Sequence, residues 1–249
     1  MNRDIIIDFI NKTLNVEQGK DPWVFNGLQV IGKKEVKKIC LGVSPSLEFF
    51  KKAEGDLIIL HHGLFGPKLA TTITQMVKNR LEVLFAKNIT LLSYHLYLDN
   101  HPTLGNNAQL IKLLRAKLGQ PFGDQEGVFW GFEGSYSKPV PEEVFRKKIN
   151  SLCPGTRYFG KGSGKISRFG IVTGGGAYII KEAIDKKLDA FLTGEIVESL
   201  PAMTQEAGIH YYALGHYNSE KFGVKAIGEV LKKKFPKVEI EFIDIPNKL

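Results

Sequence analysis

Two histidines stand side by side in Ile58-Ile59-Leu60-His61-His62-Gly63-Leu64-Phe65, directly after an apolar run. Neutral imidazoles are natural nitrogen donors for zinc, manganese or ferrous iron, and carboxylates supply the oxygen donors such sites also use. The chain offers these types three more times: Ser93-Tyr94-His95 with Asp99 four positions on, Thr193-Gly194-Glu195, and Gly215-His216 with Glu220 four positions on. A centre of two ions needs a carboxylate able to bridge them, and Glu220 and Asp99 are of that type. Taken singly, each feature has a plain reading, since a histidine at a strand end commonly bonds a backbone carbonyl and a carboxylate at a helix start commonly caps it. His101 and His210 are read in that plain way. Four features at equivalent strand ends point instead to a metal site.

The elements that must position these residues follow from hydrophobic periodicity. An opening helix is predicted over 3–15, strands near 27–30 and 38–43, a helix over 47–53 capped by Ser44 or Ser46, and the apolar strand 57–60. The His-His loop, a helix over 74–87, a strand over 89–93 and a helix over 108–117 come next. The second half repeats the order: strand 169–173, the Gly174-Gly175-Gly176 loop, helix 177–186, strand 189–193, helix 199–207 and strand 210–214. Alternating strands and helices mean α/β.

The parallel extends to chemistry. Asp56-Leu57-Ile58-Ile59-Leu60-His61-His62 matches Asp189-Ala190-Phe191-Leu192-Thr193-Gly194-Glu195, and His95 to Asp99 matches His216 to Glu220. The offset drifts from about 130 to about 120 residues, the mark of an old internal duplication. Two intertwined α/β repeats of similar topology with mixed sheets are therefore expected, over 1–126 and 127–249, with the C-terminal segment able to pack on the first lobe. Pro139-Val140-Pro141-Glu142-Glu143 reads as a helix start, and Lys161-Gly162-Ser163-Gly164-Lys165 as a tight turn.

Composition bounds the rest. The 249 residues are 43% hydrophobic and 24% charged, an ordinary globular balance without an apolar run long enough to span a membrane. The opening residues do not resemble a secretory leader, so a cytoplasmic protein with no membrane partner is expected. Cys40 and Cys153 lack zinc-site spacing and read as reduced thiols. The formal charge of +8 is scattered in short lysine pairs, without a helix-turn-helix or finger, so nucleic acid is not an expected partner.

On Trp23 to Val30, His61-His62-Gly63-Leu64-Phe65, His95 to Asp99, Gly105-Asn106, Thr193 to Glu198 and Gly215 to Glu220, the chain resembles the GTP cyclohydrolase I type 2 family, also called NIF-three-like, over essentially its whole length. The resemblance implies a homo-oligomer built as a hexameric ring and two divalent metal ions per subunit, zinc, iron or manganese. It implies His61, His62, Asp99, His216 and Glu220 as the ligands, with Glu220 bridging, His62 and Asp99 toward one ion and His61 and His216 toward the other. His95 would lie beside the ligands.

The function expected from this is a metal-dependent hydrolase of a nucleotide-like or phosphorylated small molecule. Glu195 or His95 would move a proton, and Gly174, Gly175 and Gly176 would offer backbone N–H groups to an anion. The alternative is a ring that handles metal or regulates without turnover. The glycine run lacks the lysine and hydroxyl of a P-loop, so an NTP-driven motor or kinase is not suggested.

Overall fold

The structure, a computed structural model, describes residues 1–16, 21–125, 127–160 and 164–247, so Lys161, Gly162 and Ser163 of the expected turn lie outside the described residues. In chain order the elements are α1 (Arg3–Leu14), β1 (Gly27–Val30), β2 (Lys38–Gly42), α2 (Leu47–Lys52), β3 (Leu57–Leu60), α3 (Gln75–Ala86), β4 (Thr90–Ser93), α4 (Leu96–Asp99), α5 (Asn106–Leu113), β5 (Lys117–Gln125) and β6 (Val128–Pro141). There follow α6 (Glu142–Leu152), β7 (Arg157–Phe159), β8 (Lys165–Val172), a 3-10 turn at Ala177–Ile179 leading into α7 (Ile180–Asp185), β9 (Ala190–Thr193), α8 (Leu200–Ala207), β10 (His210–Ala213), α9 (His216–Lys234) and β11 (Glu239–Phe242).

By contact these fall into two units, Met1–Leu104 with Gly223–Ile245, and Gly105–Phe222 with Pro246 and Asn247. This division concerns packing, whereas a repeat boundary at 126/127 concerns duplication of sequence. The first unit is discontinuous in the chain because β11 pairs in parallel with β2.

The first unit's sheet has the order β1-β4-β3-β2-β11 and is parallel except for the β1–β4 pair. All four side chains of β3 are fully buried, as expected of a central parallel strand covered on both faces. Each contributes about 1.5–3 kcal/mol of apolar burial. Ser46 is the cap of α2, its Oγ accepting the Phe49 N–H at 3.0 Å, and Thr74 caps α3 in the same way.

The second unit's sheet has the order β5-β6-β8-β9-β10-β7, with β8, β9 and β10 parallel and the other pairs antiparallel. Its core includes Phe145, Phe169, Ile171, Leu192 and Tyr212. The helix expected over 108–117 is instead α5, four residues shorter at its end, because Arg115 turns into the left-handed region at φ 58° and starts β5. No helix among the described residues is long and apolar enough to cross a membrane.

Candidate metal centre

In the first unit β3 and β4 are parallel neighbours with Leu60 beside Ser93. The next residues along each strand, His61-His62 and Tyr94-His95, therefore leave the sheet together at the carboxyl ends of strands, where open α/β sheets bind ligands. His61 is fully buried, and its Nδ1–H donates to the Tyr94 carbonyl at 3.0 Å. A carbonyl only accepts, so a proton is on Nδ1, and when the ring is neutral its lone pair is on Nε2. That Nε2 stands 3.4 Å from Oδ2 of Asp99, itself only 4% exposed. A lone pair set against a buried carboxylate repels it unless a cation, a proton or a metal ion, sits with them. His61 is thus one imidazole that faces Asp99.

His62 Nδ1 meets Ser44 Oγ at 2.9 Å, and His95 Nδ1 donates to Asp21 Oδ2 at 3.0 Å. Asp21 is buried and well served: Oδ1 accepts the Trp23 and Val24 N–H groups at 2.8 and 3.1 Å, and Oδ2 accepts Asn26 Nδ2 and the Leu96 N–H, both at 3.1 Å. Burial alone would raise this carboxyl, but the hydrogen bond and charge of His95, with Asn26 and the Trp23 amide, bring it down to about 2. Asp21 is therefore an anion that fixes the tautomer of His95. One ligating atom from each of His61, His62 and His95 lies within 4.8 Å of the others. Gln29 braces the loop: its Oε1 accepts the Leu64 and Phe65 N–H groups at 2.7 and 3.0 Å.

The second unit carries His216, Glu220 and Glu195. β8, β9 and β10 end in register at Val172, Thr193 and Ala213. The loops that follow bring Gly174, Glu195 and His216 to one edge. His216 Nδ1 donates to Glu195 Oε1 at 2.7 Å, and its Nε2 stands 3.3 Å from Oε2 of the buried Glu220, one turn on in α9. Burial lowers the imidazolium of His216, but the charges and hydrogen bonds of Glu220 and Glu195 outweigh it and raise the group to about 9. The bare cluster thus already selects a cation.

Gly174 lies against this pair. Its φ is +67°, and a Cβ there would collide with Glu220 Oε1 and come within 3.1 Å of His216 Nε2. Its N–H donates to Ser219 Oγ at 3.0 Å, and the Gly176 N–H donates to Thr193 Oγ1 at 3.1 Å. Two of the three N–H groups expected to receive an anion are therefore engaged by the protein's own hydroxyls. The glycine at 174 answers a need for closeness to the acid and imidazole.

The chain matches, over residues 1–248, the family model described as DUF34/NIF3 (NGG1p interacting factor 3). It belongs to the DUF34/NIF3 family. Among DUF34/NIF3 relatives, the "GTP cyclohydrolase 1 type 2 homolog" of Pyrococcus horikoshii is 36% identical, and the match covers 100% of both chains. Of solved structures, the protein ybgI, described as of unknown function, superposes with a TM-score of 0.90 at 35% identity, and TTHA1606 of Thermus thermophilus with 0.87 at 31%, each over 100% of both chains. The resemblance drawn from the motifs and the α/β fold with two mixed sheets are both upheld.

Within its own unit, then, each expected ligand has an expected neighbour: His61, His62, His95 and Asp99 in the first, His216, Glu220 and Glu195 in the second. His101 is structural as read, its Nε2 donating to Thr13 O and its Nδ1 accepting the Leu104 N–H, both at 3.0 Å. His210 is buried and bonds the Tyr158 hydroxyl at 2.8 Å rather than a carbonyl. Asp21 is absent from the sequence reading, and Ser44 appears there only as a possible helix cap. The only signal for Asp21 is the Asp-Pro-Trp turn before Asn26, and that signal is local.

Proposed function

We propose that this DUF34/NIF3 protein is a metal-dependent hydrolase of a phosphorylated or nucleotide-like small molecule, with two divalent cations held by His61, His62, Asp99, His216 and Glu220. The observation that carries the reading is a repeated one: in each unit an imidazole with Nδ1 tied to a protein oxygen sets Nε2 against a buried carboxylate. This is the outer-contact pattern that orients metal-ligating histidines and raises their basicity. The donor set suits zinc, iron or manganese. The name of the relatives, a homolog of a GTP cyclohydrolase, supports the substrate class.

When bound, such cations supply Lewis-acid polarisation and a water activated near neutral pH. The chain's own residues do the rest. Glu195 holds His216 in the ligating tautomer, and the Ser44 hydroxyl, 2.9 Å from His62 Nδ1, positions that ring. His95, whose Nδ1 proton is anchored on Asp21, presents Nε2 among the imidazoles and takes the proton that a hydrolysis releases. The reading includes self-assembly into a hexameric ring, which light scattering tests.

The test is a screen of nucleotides and phosphoesters with metal-loaded protein, chelated protein and the His61→Ala and Glu220→Ala variants. Product formed only by the loaded parent protein supports the proposal. Transfer of the ion to an acceptor without any product would replace it with the metal-handling reading.

A further inference from the structure

The five ligands of the proposed centre leave out an imidazole that the first unit prepares with the same care. His61, His62 and His95 form a triangle of rings, with centroids 4.9, 5.1 and 5.8 Å apart. Each has Nδ1 directed at a protein oxygen: the Tyr94 carbonyl, the Ser44 hydroxyl and the Asp21 carboxylate. With each Nδ1 so engaged, one ligating atom of each ring lies within 4.8 Å of the others, and three imidazole nitrogens gathered in this way are sufficient for a transition-metal ion that completes its sphere with water. Asp21 is the telling residue. A carboxylate buried under four further hydrogen bonds is more than a surface histidine needs, and carboxylate-anchored histidine is the usual arrangement behind a metal ligand.

We infer that the first unit alone binds one transition-metal ion through Nε2 of His61, His62 and His95, with Asp21 as the positioning residue for His95. The site takes up a first ion without any donor from residues 105–222. In the fully loaded centre His61 and His62 serve the ligand set proposed above, and His95 is released to handle protons. The inference uses the imidazole chemistry of that reading but not its hydrolysis.

Cobalt(II) alone is the probe, because its visible bands are intense at four or five coordination and weak at six. The protein is His216→Ala/Glu220→Ala, which removes the second unit's donors, and His216→Gln/Glu220→Gln replaces it if circular dichroism shows that the alanine pair does not fold. The expected result is about one cobalt per chain with intense bands, lost in the added His95→Ala. The added Asp21→Asn should bind 10–100-fold more weakly. A folded double variant that binds no cobalt, or binds it equally well without His95, overturns the inference. If the parent protein still binds two ions in that case, the dinuclear reading survives on its own.

Discussion

His95 and His216 are matched in kind: each turns Nδ1 to a carboxylate, 3.0 Å from Asp21 and 2.7 Å from Glu195, and each is followed four residues later by a buried acid, Asp99 or Glu220. The sequence repeat thus has a geometric counterpart in the two units, with one departure. In the second unit the histidine itself faces the acid at i+4, whereas in the first that place is taken by His61.

Glu195 is exposed and its contribution is directional. Replacing it with alanine should weaken zinc binding by about 10–100-fold while leaving the fold intact. Competition with a chromogenic chelator measures this, and an unchanged affinity would show that His216 is oriented without it.

Gly174 and Gly208 separate backbone strain from crowding. Both have positive φ, 67° and 66°, but a Cβ at Gly208 meets nothing within 4 Å, whereas at Gly174 it meets Glu220 and His216. Gly208→Ala should cost about 1–2 kcal/mol and leave metal content unchanged. Gly174→Ala should cost more in urea unfolding and also lose metal.

Asp21 gives the acid limb of stability its shape. Its folded value of about 2 lies below the ordinary 3.8, so its contribution is fully present above 3.8 and is lost as pH falls through about 2. The shift corresponds to about 2 kcal/mol. Urea unfolding followed across that window should be steeper in pH for the parent protein than for Asp21→Asn, and identical slopes would contradict the assignment.

Metal should stabilise what it binds. At a free ion concentration 100 times Kd the gain is about 2.7 kcal/mol, so a chelator should lower the Tm of the parent protein and lower that of His61→Ala by less. Equal Tm values for the parent protein with and without chelator would count against a native-state site.

Much of this arrangement is legible in the residues. Leu57 to Leu60 and Ala190 to Thr193 are short, apolar and followed by polar residues, so both their strand character and the chemistry at their ends show in the local pattern. Ser46 and Thr74 are visible as caps for the same local reason. β5 and β6 are not: Pro121, Gly123, Pro139 and Pro141 interrupt the alternation, and only pairing with a partner strand makes them strands. β11 likewise depends on β2, which lies far away in the chain, Glu239 pairing with Lys38. Asp21 stays hidden because its role is fixed by His95 and Leu96, which no sequence spacing connects to it. The contact of His61 with Asp99 is set by side-chain direction after the strand end, which a motif does not specify.

Elemental mass spectrometry of the protein purified without chelator or nickel affinity, beside His216→Ala prepared identically, reads the metal centre itself. About two transition-metal ions per parent chain and a sharp fall in the variant are expected. Little metal in either protein, even after incubation with zinc, manganese or ferrous iron, would contradict that expectation.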